Sequence, residues 1–129
     1  STGHALPAPN ESGPLPQHCF LEPGAASVDE MIRDTENGLY ITQLHYTRPI
    51  DPKQITATGM TRNGTFLIQH GEIACPVRDM RFTQSYLKAL NQVEAIGKET
   101  RLLRIWDGSL QNVPAVKIAS FHFSSGTPG

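Results

Sequence analysis

The sequence predicts a mainly β domain with two helices, of the α+β class. Its strands should form a mostly antiparallel sheet or a partly closed, barrel-like one. Three observations predict it. Roughly six segments are rich in β-branched and aromatic residues and bounded by Gly, Pro, Asn or Asp. Helical signals occur in two stretches only, one before the strands and one late among them, so strands do not alternate with helices as a doubly wound parallel sheet requires. The 11 glycines and 10 prolines in 129 residues favour frequent turns over long helices.

This length suits one domain, 1–129, and a hydrophobic fraction of 38% can fill one core. With 11 Lys plus Arg against 12 Asp plus Glu, the surface has no basic field, which disfavours nucleic acid held by phosphate neutralisation. No apolar run approaches the roughly 18 residues of a membrane span, and no signal-peptide pattern opens the chain, so neither a membrane nor an export route is expected. Two cysteines, Cys19 and Cys75, lie outside any Cys-x-x-Cys pair. A reduced, cytoplasmic setting is the plainer expectation, with one disulfide left open. Ser1 stands where an initiator Met would, in a loop-like opening, and reads as the start of a piece of a longer polypeptide.

Residues 1–26 carry Pro7, Pro9, Pro14, Pro16 and Pro23 without a sustained period and read as an extended, Pro-rich arm that must lie on something to be ordered. Residues 27–129 form the β-rich core. Ser27 and Glu30 have capping-box spacing; Met31 and Ile32 give a short apolar face, and Asn37-Gly38 supplies a left-handed stop, so a helix of two to three turns is expected there. Leu39–Thr47 reads as a strand ended by Arg48-Pro49 and Asp51-Pro52. Gln54–Met60 reads as a second, followed by a turn at Arg62-Asn63-Gly64. Thr65–Gln69 and Glu72–Val77 flank His70-Gly71, which predicts a hairpin with a primed turn. Phe82, Tyr86, Leu90, Val93 and Ile96 recur at spacings of three and four, the stripe of an amphipathic helix capped by Thr83 and stopped by Gly97. Arg101–Trp106 reads as a strand, Asp107-Gly108-Ser109 as a turn, and Val113–Phe123 as a last alternating strand.

No local pattern carries chemistry by itself. His4, His18, His45, His70 and His122 are scattered, and no His-Glu-x-x-His, Gly-x-Ser-x-Gly or phosphate loop occurs. His18-Cys19 are neighbours whose side chains diverge on an extended chain, so an arm residue beside a small apolar thiol is the plainer reading than a metal pair. His70 is explained by its turn. His45 and Tyr46 fall on opposite faces of one strand, where a satisfied polar group at a sheet edge competes with a binding role. Arg62 either clamps a carboxylate from its turn or is simply solvated there.

Several segments taken together resemble the C-terminal part of the TldD/PmbA family, peptidase U62, whose members are also described as proposed modulators of DNA gyrase. They are Ser1–Ala5 with Gly13–Pro16 and Leu21–Gly24; Gly38–Thr42; Gly64–Arg78 with its Pro76-Val77 end; and Val113-Pro114 leading into the last strand. The resemblance keeps its order over nearly the whole chain. It implies a zinc metallopeptidase acting on peptides, with an upstream N-terminal domain and assembly as a homodimer or a heterodimer with a paralogue. Zinc would sit on an upstream His-Glu-x-x-x-His helix plus a cysteine just before the Val-Pro segment. Here that helix motif is absent and residues 104–112 hold no cysteine. Asp107 could stand in as an oxygen ligand or be a turn aspartate, and Cys75 is in the wrong segment. The resemblance thus implies zinc in the full-length protein and none held by this chain, or a metal-free, PmbA-like parent. On it, this domain would supply substrate-groove and dimer surface, with His45, Tyr46 and Arg62 as groove candidates; the alternative is a non-catalytic β-rich module that binds a peptide or protein.

Overall fold

The structure, a computed structural model, describes residues 4–11, 13–105 and 107–124. In chain order the elements are β1 (His18–Phe20), α1 (Val28–Arg33), β2 (Asn37–Asp51), β3 (Thr56–Gln69), β4 (Glu72–Pro76), β5 (Arg81–Ser85), α2 (Tyr86–Leu90), β6 (Val93–Arg104), β7 (Leu110–Ile118) and β8 (Phe123–Ser124). They make two open sheets. One has the order β2-β3-β5-β8, with β4 also on β3; the other has the order β1-β7-β6. Every strand pairing is antiparallel except β1 on β7, and neither sheet closes into a barrel. The mainly β, α+β expectation therefore holds, with eight strands among the described residues and without the barrel closure.

The Pro-rich arm lies on the smaller sheet and contributes a strand to it, which its sequence did not announce. The Leu21 N–H donates to the Asn112 carbonyl and Gly24 N–H to the Gly97 carbonyl, while Lys98 N–H donates to Ala26. Gly24 is required there, because a Cβ would stand 2.3 Å from the Ile96 carbonyl oxygen.

The capping box forms as read: Glu30 N–H donates to the Ser27 hydroxyl, and the Glu30 carboxylate accepts from Ser27 N–H. The helix is shorter than expected, six residues capped at Asp34. Asn37 and Gly38 do not stop it; they already pair with Gln69 and Ile68 at the start of β2. Of the two expected stops, Asp51-Pro52 does end β2, whereas Arg48-Pro49 does not. Pro49 stays in the strand, opposite Ala57, because β2 is an edge and a residue without N–H can face outward there.

Two further expectations give way. The proposed turn at Arg62-Asn63-Gly64 is a bulge inside a continuous β3, with Asn63 at φ +60° and Gly64 at φ +135°. The amphipathic helix across Phe82–Gly97 is a strand, a five-residue helix and the start of another strand. Its apolar stripe was shared among three elements: Phe82 on β5, Tyr86 and Leu90 on α2, Val93 and Ile96 on β6. Pairing of β5 with Thr56–Met60 and complete burial of Phe82 against the rings of Phe121 and Phe123 outweigh a helical period. Likewise the alternation of Val113–Phe123 spans two strands in different sheets, β7 and β8. The hairpin at His70-Gly71 stands, with φ of +51° and +77° as a type I′ turn requires. Trp106 and the tail from Ser125 lie outside the described residues.

Candidate functional site

The three candidate residues fall in one short stretch of the β2–β3 ribbon, framed by two bulges. From Asn37 to Ile41 the ribbon is in regular register. One extra residue on β3 then brings Gln43 opposite Arg62, and three pairs later an extra residue on β2 brings Arg48 opposite Thr58. Between the bulges Gln43, His45, Met60 and Arg62 share a face, since paired side chains point the same way. His45 and Arg62 are thus diagonal neighbours on adjacent strands.

Tyr46 is the extra residue's neighbour and sits at φ +50°. This left-handed step cancels the alternation that put Tyr46 opposite His45. The two rings instead meet edge to face, with centroids 4.2 Å apart and planes at 63°. The expectation of opposite faces is therefore corrected. Tyr46 is 76% exposed, His45 is half-buried, and Arg62 is exposed without an ion pair among the described residues. The Asn63 side-chain amide donates to the Gln43 side-chain oxygen, bracing the first bulge from the same side.

Behind this face lies a polar brace that sequence reasoning missed. Thr61 and Thr65 are buried, and both hydroxyls donate to the Asp79 carboxylate, at 3.2 and 3.3 Å. Met80 N–H in turn donates to the Thr61 hydroxyl at 2.9 Å. Two threonines flanking Asn63-Gly64 were visible, but Asp79 reaches them from a loop with no pattern of its own. At the far end of the ribbon the Tyr86 hydroxyl bonds Thr47, and burial pushes its phenol above the ordinary 10.0.

β2 is an open edge. It pairs with β3 alone, and among the described residues no main-chain hydrogen bond reaches its outer side. Fifteen residues of unpaired edge are a template for another extended chain unless bulges or prolines blunt it. Here they blunt its second half only.

Among the described residues no three His, Cys, Asp or Glu side chains stand together so as to hold a metal ion. His18 Nδ1 accepts from Leu110 N–H at 3.1 Å, which places it as a pin between β1 and β7. Asp107 accepts from both the amide and the hydroxyl of Ser109, at 2.9 and 2.6 Å, and is a turn aspartate whose carboxyl these bonds hold below its ordinary value. His70 Nδ1 meets the Glu36 carboxylate beside its turn. Cys19 and Cys75 are free thiols, both exposed. Among the described residues no helix is long and apolar enough to cross a membrane.

The fold and site define a two-sheet, mainly antiparallel β domain with a bulged open edge and no metal cluster among its described residues. The chain belongs to the PmbA/TldA metallopeptidase C-terminal domain family, whose model matches residues 1–125. It is 35% identical over 83 residues to a protein named "Metalloprotease" from Methanothermobacter thermautotrophicus, a match covering 64% of this chain and 18% of that protein. The fold is similar to that of TldE from Thermococcus kodakarensis, with TM-score 0.76 and 19% identity over 98% of this chain and 28% of that one. It is also similar to a proposed modulator of a DNA gyrase from Thermotoga maritima, with TM-score 0.72 and 19% identity over 88% and 25% of the two chains. The chain thus spans less than a third of the length of these relatives.

Proposed function

We propose that this domain binds and orients an extended peptide in a longer TldD/PmbA-like metallopeptidase, with the β2 edge as the pairing strand. The observation that carries the reading is the unpaired edge of β2, whose inner neighbour is braced by the Asp79 network and whose bulged centre presents His45, Tyr46 and Arg62. A peptide adding to such an edge gains main-chain bonds irrespective of its sequence. The His45–Tyr46 ring pair offers an apolar wall, and Arg62 a charge for a peptide carboxylate. The described residues offer no ligand set for the metal that the family's activity implies. On this reading zinc is held by ligands in an upstream N-terminal domain of the longer polypeptide, and no chemical step is routed through this chain. The same reading takes the working assembly to be a homodimer or a heterodimer with a paralogue, with peptides rather than nucleic acid as substrates.

The test uses the full-length protein and an unstructured peptide. Combined replacement H45A/Y46A/R62A should lower kcat/KM for cleavage by at least tenfold with unchanged zinc content. A peptide N-methylated at alternate amides should resist cleavage where the unmodified one is cut. Unchanged cleavage in both arms overturns the reading.

A further inference from the structure

The smaller sheet is uncovered in a way the larger one is not. The register from Thr100 to Arg104 is unbroken, so Leu102 and Leu103 point to opposite faces, and both are exposed, at 62% and 44%. Leu102 stands in a row with Asn112 and with Phe20, which is 67% exposed. Leu103 stands on the other face in a row with Gln111 and Cys19. An antiparallel sheet with one solvated face alternates apolar and polar residues; this one carries bare apolar side chains on both. Each face also bears an arginine near the hairpin end, Arg104 on the Leu102 side and Arg101 on the Leu103 side, neither ion-paired among the described residues. The accessible surface is 9676 Å². A folded monomer of 14.1 kDa exposes about 6,700 Å². The excess of about 3,000 Å² belongs to the whole chain, the extended arm included, and the bare side chains of this sheet are one part of it.

We infer that the β1-β7-β6 sheet is a docking tongue for the remainder of the longer polypeptide, which clasps both of its faces and sets carboxylates against Arg101 and Arg104. A second copy meeting the sheet across a twofold axis covers one face and leaves the other wet. Relatives of which this domain is 28% and 25% carry ample chain to cover two. This inference rests on the reading of the chain as one domain of such a peptidase.

Two native thiols provide the test. Cys19 lies on the Leu103 face of the tongue and Cys75 on β4, both exposed in this chain. Maleimide labelling, resolved by peptide mass spectrometry, should modify both readily in the 129-residue chain. In the full-length gene product Cys19 should slow at least tenfold, independently of protein concentration, and Leu103→Asp should restore its rate. Equal Cys19 rates in the two proteins overturn the inference. Protection that appears in the 129-residue chain as its concentration rises overturns it in favour of a second copy. A protected Cys19 with no peptide cleavage sinks the proposed function and spares the docking; cleavage with an unprotected Cys19 does the reverse.

Discussion

The two sheets use the same residue types and similar strand lengths, yet bury them differently. In the larger sheet β3 is covered from both sides: β2 along one edge, β4 and β5 along the other. Its buried face holds Ala57, Ile68 and Phe82, and its buried hydroxyls at Thr58, Thr61 and Thr65 all have partners. The smaller sheet is a hairpin with a three-residue strand added, and the whole outer half of β6, from Lys98 to Arg104, is exposed. One region is therefore a finished core and the other a surface shaped for cover. Strand propensity alone does not distinguish them; the difference lies in which side chains find neighbours.

The sharpest way to break this comparison is to delete one apolar side chain from each sheet. Phe82→Ala removes a fully buried ring that touches Phe121 and Phe123, and should cost about 3–5 kcal/mol in urea denaturation of this chain. Leu102→Ala should stay within about 0.5 kcal/mol, as for other exposed sites. A comparable loss at both positions would mean that the tongue has its own core.

A smaller effect is expected at the two positions that hold the bulged ribbon. A Cβ on Gly59 would stand 2.7 Å from the Phe82 ring and 2.9 Å from the His45 carbonyl oxygen, so Gly59→Ala should cost about 1–3 kcal/mol by overpacking. Thr61→Val keeps the shape but leaves Met80 N–H without its acceptor and Asp79 with one donor fewer, for about 1–3 kcal/mol. Both should lower the urea midpoint with an unchanged slope. On the proposed function they should also impair peptide cleavage by the full-length protein, because each disturbs the β2–β3 ribbon that carries His45 on one strand and Arg62 on the other.

Where sequence and structure agree, a local rule was sufficient. Ser27 and Glu30 cap a helix whatever surrounds them, and His70-Gly71 closes a hairpin because the two positive φ angles can be met there. The departure of Tyr46 from its expected face came from one non-local fact, an extra residue on β2 that turns Tyr46 left-handed. The Asn63-Gly64 pair carried a true signal for positive φ, yet such residues serve a bulge as well as a turn; only pairing with Gln43 and Ile41 decides between them. The stripe from Phe82 to Ile96 failed for a similar reason: its members face three different neighbours. The candidate residues were legible singly, whereas their convergence depends on two register shifts that no spacing encodes.

The smallest predicted effect separates the regions by pH, because each holds one carboxyl displaced downward. Glu30, on the helix beside the larger sheet, is held below its ordinary 4.5 first by the Ser27 amide and then by the Ser27 hydroxyl. Asp107, in the turn at the end of the smaller sheet, is held below 3.8 by the Ser109 hydroxyl and then its amide. A carboxyl depressed on folding binds fewer protons folded than unfolded, so its contribution is complete at neutral pH. It starts to fade as the pH falls past 4.5 for Glu30 and past 3.8 for Asp107, and is gone below the folded values. Both carboxyls are fully solvated, so the changes are small ones. Melting curves between pH 7 and pH 2.5 should show Glu30→Gln flattening the upper part of the acid slope. If the finished core alone governs global unfolding, Glu30→Gln should move the melting temperature of this chain, while Asp107→Asn should show mainly as faster amide exchange in the β6–β7 hairpin. Equal shifts in melting temperature would show that the two sheets unfold as one unit.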